Sequence, residues 1–348
     1  MAQKVLIHGA TGETGGDILD GLVADGSFVS PSNPISPHRT QSYQEIAALV
    51  RPQSLQKLVT KSLKSRGVKV VVSDLVNQDV EEIADLLAGY DTVISAVATT
   101  AQLDQLKLVD AAAKAGIKRF IPCGFTSISP PGGVMSLIRT EKEKIHERIW
   151  YHHLPYTIID SGTWYQISFP SLPSGKVSYA FMGDGNTIVA DGNAPNLMVD
   201  KRDIGRLTAR IIKDSRTLNK RVFLHADVLT QNDIWAIMER KSGEKIEAKH
   251  ATHDELLAKM HTARAVCMKN PSDPRMRFAA ISAEYMVCKY VRQDNNPQNA
   301  RYLGYIGTRE LYPDFEPNTF SAFVDELLAG QAKKLYRDKF EFMQKKST

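Results

Sequence analysis

The run Gly9-Ala-Thr-Gly12-Glu-Thr-Gly15 constrains this chain more than any other feature. It follows a short apolar stretch, Lys4-Val-Leu-Ile7, that reads as a buried strand. It opens Gly16 to Ala24, where Ile18, Leu19 and Leu22 share one helical face. A G-x-x-G-x-x-G run between a strand and a helix is the setting in which a dinucleotide binds. The glycines permit a tight turn and close approach of a pyrophosphate. The helix amino end adds unpaired N–H groups and a partial positive charge. Gly9, Thr11, Gly12, Thr14 and Gly15 are the first candidate cofactor-binding residues.

Glu45 to Arg51, Lys69 to Ser73, Asp91 to Val97, Arg119 to Pro122 and Tyr156 to Ser161 read as further strands. Helical patterns separate them at Leu55 to Ser65, Val80 to Leu87, Leu103 to Ala115 and 137–152, the last rich in charge. This alternation predicts an α/β fold with a Rossmann-type, doubly wound parallel sheet. Such sheets bind ligands at the carboxyl ends of their strands. The loop-end residues Ala96, Val97, Pro122, Cys123, Phe125 and Gly162 therefore join the candidates for cofactor contact. Phe125, Trp164 and Tyr165 are candidates to wall a substrate site, with core packing as the competing reading.

The second strand decides the nucleotide. An NAD site places an acidic residue at its end, to hold the ribose hydroxyls. Here the strand ends in Arg51, with Lys57 beyond it. A guanidinium pairs bidentately with a 2′-phosphate and stacks on adenine. The expected cofactor is NADPH or NADP+. Asp74 ends the third strand and reads either as an acceptor for the adenine amino group or as the start of a turn.

Two regions depart from the rhythm. Ser27 to Gln44 is rich in proline and serine and far longer than a usual helix-to-strand connection. It enters the amino end of the second strand, away from the ligand edge, and reads as a surface insertion. After residue 165 the pattern turns irregular, with a helix within Met198 to Lys213 and a strand at Arg221 to His225. Further helices follow at Thr230 to Lys241, Thr252 to Met260 and Phe320 to Leu328, and Thr252 and Glu255 have capping-box spacing. The expected organisation is a Rossmann domain over 1–164, completed by about 186–228. A smaller, mainly helical substrate lobe takes 165–185 and 229–348.

Composition narrows the class. With 43% hydrophobic and 24% charged residues the chain is globular, not disordered or repetitive. Its net charge of +5 is spread along the chain and too small to suggest a nucleic-acid-binding protein. Three cysteines without a C-x-x-C pair fit a reducing compartment. No apolar run is long enough for a membrane span, and the opening residues lack a signal-peptide core. The expected setting is cytoplasmic, with a small-molecule substrate, no nucleic acid and no membrane; a homodimer is left open. His250 with His253, and His152 with His153, lack a third ligand at convincing spacing, so no metal is expected. Tyr285-Met-Val-Cys-Lys289 matches the Tyr-x-x-x-Lys pair of short-chain dehydrogenases. It lies far from the strand-four helix where that pair belongs, and reads as a chance match.

Taken together, GATGETGG, ALVRP, DTVISAV, AGIKRFIP, LPYTIIDSGTW, MVDKRDIGR and LYPDF resemble the NmrA-like and isoflavone-reductase-like atypical short-chain dehydrogenases. The resemblance runs from residue 4 to about 330 and is nearest to the fungal secondary-metabolism branch. It implies a Rossmann domain, NADPH and a substrate cleft beside a smaller lobe. Counting back from LPYT, it also implies that Lys142 is the catalytic lysine and a cofactor contact. Such an amine can hold or move a proton at a reacting oxygen or nitrogen. The plant pattern P-S-E-F-G is replaced by Pro122-Cys123-Gly124-Phe125-Thr126, so a role for that carboxylate is lost.

The function implied is NADPH-dependent reduction of a C=C, C=O or C=N bond in a bulky aromatic or heterocyclic molecule of secondary or alkaloid metabolism. Two alternatives stay open: a redox-assisted cyclase or rearrangement enzyme, and a non-catalytic NADP(H)-sensing regulator.

Overall fold

The computed structural model describes residues 3–26, 45–182 and 186–336. The insertion read at 27–44 lies outside them. The first elements are β1 (Lys4–His8), α1 (Glu13–Ala24), β2 (Glu45–Val50), α2 (Leu58–Ser65), β3 (Lys69–Val72), α3 (Val80–Leu87), β4 (Thr92–Ser95), α4 (Gln105–Lys114) and β5 (Arg119–Ile121). Next come α5 (Ser136–Tyr151), β6 (Thr157–Ser161), β7 (Thr163–Trp164), β8 (Thr187–Val189), β9 (Asn196–Val199), α6 (Lys201–Ile211), β10 (Lys220–Leu224) and β11 (Asp227–Leu229). The remainder is α7 (Gln231–Ser242), β12 (Lys249–Ala251), α8 (His253–Lys269), α9 (Pro274–Met286), α10 (Pro297–Tyr302), β13 (Tyr305–Gly307), α11 (Thr308–Leu311) and α12 (Phe320–Leu328).

The chain forms two compact units. The first takes the chain up to Phe125 together with Glu141–Asp160 and Arg202–Val222. Its parallel sheet runs β3-β2-β1-β4-β5, the order of a Rossmann half with its switch point between β1 and β4. A bridge from Phe120 to Tyr156 leads on to β6. The strands are apolar on both sides because helices cover both faces. On one face Leu6, Leu49, Val93 and Phe120 pack with Leu108, Ile145 and Ile149. On the other, α1 meets α6 at glycine: a Cβ on Gly21 would lie 2.2 Å from the carbonyl carbon of Gly205. Buried Arg119 fastens the returning 202–222 segment. Its guanidinium donates to Thr217 Oγ1 at 2.7 Å, Ile211 O at 2.8 Å and Asp214 O at 3.0 Å.

The second unit takes Thr126–Thr140, Ser161–Lys201 and the chain from Phe223 onward. The sequence had placed 126–140 with the dinucleotide domain and the return as early as 186. The strands near that return, β8 and β9, instead pair with β12, β11 and β7 of the second unit. This unit is less purely helical than its sequence suggests, since strands of two to four residues build small sheets between the helices. Such strands are too short to show a period of two. The expected capping box of Thr252 and Glu255 is formed at the start of α8, and α12 spans Phe320–Leu328 as read. Tyr165, Phe169, Phe320 and Phe323 form its aromatic core.

Candidate functional site

The glycine loop joins β1 to α1 at the carboxyl edge of the five-stranded sheet. Gly9 has φ of +90°, and a Cβ there would lie 2.4 Å from Ala96 O. A Cβ on Gly15 would lie 2.1 Å from Gly9 O. The loop packs on itself and on the end of β4 with no space for a side chain. Gly12 N donates to Gly9 O at 2.9 Å, and Gly12 caps α1 without a side-chain acceptor. The opening amides of α1 thus lack a side-chain cap. This cradle fits a pyrophosphate. Thr11 is exposed and Thr14 partly so, both on this loop and first turn.

Arg51 and Lys57 are exposed just beyond β2. Asp74 closes its own turn, accepting from Asn77 Nδ2 at 2.7 Å and from Val76 N at 3.3 Å, which is the turn role. His8 ends β1 immediately before Gly9. Burial, then the Arg51 charge, push its pKa down to about 4. In the second unit His225 stacks on Phe223 with ring centres 5.3 Å apart. Burial, then Arg309 and Arg301, also lower its pKa to about 4. Both rings are neutral in the native state, while an unfolded histidine takes up a proton below about pH 6.5. Their stabilisation is complete above that pH and is lost as pH falls toward 4. His8 alone is expected to cost about 2 kcal/mol between about pH 7 and pH 5. Urea midpoints at the two pH values test this: His8→Leu should flatten the dependence, and an unchanged slope would count against it.

The loop after β5 is held from two sides. Gln105 Oε1 accepts from Cys123 N at 2.8 Å, and Gln102 Nε2 reaches Cys123 Sγ at 3.3 Å. The thiol contacts Val97 O at 3.3 Å, tying the ends of β4 and β5 together. Gly124 N donates to Pro122 O at 2.7 Å, and Phe125 N to Ile159 O at 2.6 Å. Phe125 is buried with φ of +50°, a left-handed conformation that a bulky residue holds only when its surroundings force it. A Cβ on Gly124 would lie 2.3 Å from Ile159 O and 2.9 Å from Asp160 Oδ1. The position that is acidic in the plant pattern therefore has no room for a side chain here.

Lys142, on α5, meets this loop. It is 5% exposed, and its Nζ donates to Cys123 O and, at 2.8 Å, to Gly124 O. A solvated helix lysine is thereby excluded. An ammonium has three donors; among the described residues, the third has no hydrogen-bond partner. The charged helix expected at 137–152 buries its ionisable stripe, with Arg139 and His146 also enclosed. Sequence reasoning missed the two glutamines, because an amide at the start of an amphipathic helix carries no local sign of its partner.

The other candidates belong to the second unit. Gly162 N donates to Leu224 O at 2.8 Å, and a Cβ there would lie 2.6 Å from the Leu197 carbonyl carbon. Backbone packing accounts for that glycine. Trp164 is partly buried with Lys201 Nζ 5.1 Å from its ring centre. Tyr165 is fully buried and donates to Asp227 Oδ2 at 2.5 Å. Its contacts are those of the core, in place of the substrate wall. Tyr285, read as a chance match, shares a hydrogen bond of 2.5 Å with Thr126 Oγ1. Next to it, buried Glu284 accepts from Ser136 Oγ at 2.9 Å and Leu137 N at 3.1 Å, capping the amino end of α5. No local signal could have announced that cap, whose partners lie 147 and 148 positions apart.

His152 Nε2 donates to Asp110 Oδ1 at 2.7 Å. Among the described residues no group of three His, Cys, Asp or Glu side chains is placed to hold a metal, and no helix is long and apolar enough to cross a membrane.

Comparison with known proteins agrees with this architecture. The chain is 37% identical over 329 residues to asnovolin J 5′,6′-dehydrogenase of Aspergillus novofumigatus, covering 94% of this chain and 96% of that protein. It is 30% identical to a probable pinoresinol-lariciresinol reductase 3 of Arabidopsis thaliana, covering 93% and 97%. Among solved structures, a leucoanthocyanidin reductase–NADPH complex from Vitis vinifera matches with a TM-score of 0.73 at 23% identity, covering 94% of this chain and 99% of that one. The family model described as NmrA-like matches residues 1–343. With the glycine cradle, the strand order and these relatives in agreement over nearly its whole length, the chain belongs to the NmrA-like family.

Proposed function

We propose that the chain is an NADP(H)-dependent oxidoreductase acting on a bulky aromatic or heterocyclic small molecule of secondary metabolism. The observation that carries this is Lys142, buried at the same sheet edge as the glycine cradle, with two donors on the β5 loop and a third to spare. The relatives support it, one being a dehydrogenase of asnovolin J and another a reductase of pinoresinol and lariciresinol by name. Gly9, Gly12 and Gly15 would hold the pyrophosphate and Arg51 the 2′-phosphate. When bound, the nicotinamide supplies or accepts the hydride. Lys142 holds or moves the proton at the substrate atom beside it, or steadies negative charge there. The carbonyls of Cys123 and Gly124 aim the ammonium. Which bond reacts, and whether the net change is reduction, dehydrogenation or cyclisation, follows from the substrate.

The test is binding first and turnover second. NADPH should bind more tightly than NADH. Arg51→Ala should weaken NADPH by about tenfold or more while sparing NADH, since a charge-assisted bidentate pair contributes on the order of 1.5–3 kcal/mol. Fluorescence titration of both nucleotides measures this, and equal binding by the wild type would sink the NADP(H) assignment. A panel that includes asnovolin J, pinoresinol and lariciresinol, followed by nicotinamide absorbance and mass spectrometry, tests the chemistry. Tight NADPH binding with no conversion across the panel and a co-purifying protein would favour a regulator.

A further inference from the structure

The carboxyl ends of β1, β2 and β4 place three polar residues on one side of the sheet. His8 is in register with Leu49 and with Ser95. Register partners in a parallel sheet point to the same face, and so do residues two apart. Leu6, Leu49 and Val93 all lie in the apolar cluster on that face. His8, two beyond Leu6, and Ser95, two beyond Val93, therefore share it. Arg51, two beyond Leu49 with an extended backbone, continues on the same side.

This face is apolar below and polar at its rim, and the rim is unsatisfied. His8 Nδ1 and Ser95 Oγ are both enclosed without a hydrogen-bond partner. An enclosed polar atom without a partner costs on the order of 1–3 kcal/mol, so two in register invite an explanation. The placement supplies one. The pair lies directly before the glycine cradle, within the field of Arg51. The Arg51 charge reaches the His8 ring and disfavours a further cation there, while an anion could accept a hydrogen bond from the neutral ring.

Resting on the NADP(H) reading above, we infer that His8, with Ser95 beside it, is a second recognition group for the 2′-phosphorylated ribose of the dinucleotide, acting together with Arg51. His8 hydrogen-bonds the phosphate or its ribose edge, and Ser95 completes the polar step beneath. Arg51 supplies charge, while His8 supplies a directed hydrogen bond from a ring that the strand fixes in place. The low pKa of the free ring, set first by burial and then by the Arg51 charge, keeps it a neutral hydrogen-bonding group.

The probes are 2′,5′-ADP, ADP, NADPH and NADH, titrated calorimetrically into the full chain near neutral pH. His8→Leu is expected to weaken 2′,5′-ADP and NADPH by about tenfold and to change ADP and NADH by less than about twofold, the loss of one hydrogen bond to a charged group. Equal losses on phosphorylated and unphosphorylated nucleotides would overturn the inference, because His8 would then serve only the loop. No loss on any of them would also overturn it, leaving the ring nitrogen to a buried water. If His8→Leu does not fold, 15N-histidine spectra of the wild type decide: an imidazole resonance must respond to 2′,5′-ADP and not to ADP. A wild type that binds neither NADPH nor NADH would instead sink the NADP(H) reading itself, and selective NADPH binding lost only in Arg51→Ala would sink the His8 role alone.

Discussion

Lys142→Met is expected to lower turnover by about 10²- to 10³-fold while changing NADPH affinity only a few-fold, the size of effect usual for a positioned proton-transfer group. The argument is geometric. Lys142 is enclosed, and two of its donors are spent on the carbonyls of Cys123 and Gly124. Those bonds fix the amine along the edge of the loop that Gln105 and Cys123 tie to β4. Methionine keeps most of the stem volume and removes every donor. Two buried carbonyls would then lose a partner, at about 1–3 kcal/mol each, so a lower melting temperature should accompany the lost turnover. The kinetic split separates the two effects. A fall in kcat with KM and NADPH binding nearly unchanged supports a role in the chemical step. Near-wild-type turnover in a folded Lys142→Met protein would remove Lys142 from the mechanism.

The second large effect concerns neighbouring glycines with opposite signs. Gly15→Ala puts a methyl group 2.1 Å from Gly9 O, backbone against backbone, so the cradle must open. NADPH binding is expected to weaken by more than about 100-fold, with several kcal/mol of stability lost, since closely packed backbone has nowhere to relax. At Gly16 the nearest atom to an added Cβ is Ala10 O at 3.9 Å, ordinary contact distance. Gly16 also lies inside α1, where alanine is favoured over glycine by about 0.5–1 kcal/mol. Gly16→Ala should therefore stabilise the protein slightly and keep it folded. Thermal melts and NADPH titration of the two variants provide the check. Similar behaviour of both would contradict the loop geometry.

These contrasts show where the sequence was sufficient. Alternating apolar strands and amphipathic helices specified the parallel sheet, and a glycine run at one junction specified the cradle. Arg51 at the end of β2 pointed to the nucleotide. The capping box at Thr252 and the helix at Phe320–Leu328 were legible because each rests on residues a few positions apart. Short-range patterns survive into the structure when their partners are local.

The rest required partners that are distant along the chain. In α5, Arg139, Lys142 and His146 recur at spacings of three and four, the same period an apolar face would show. Whether such a polar stripe faces solvent or the interior depends on acceptors elsewhere, here the carbonyls of Cys123 and Gly124. The same holds for Tyr165, whose hydroxyl finds Asp227 and so becomes core. It holds for Gly162 and Gly124, whose small size answers backbone from another strand. The sequence by itself determined the fold class, the dinucleotide cradle and the cation beyond β2, because local spacing and chain chemistry encode them. Only the tertiary structure decided which polar side chains are buried and what each one touches, because a buried polar group is tolerable only where a remote segment supplies its hydrogen bond.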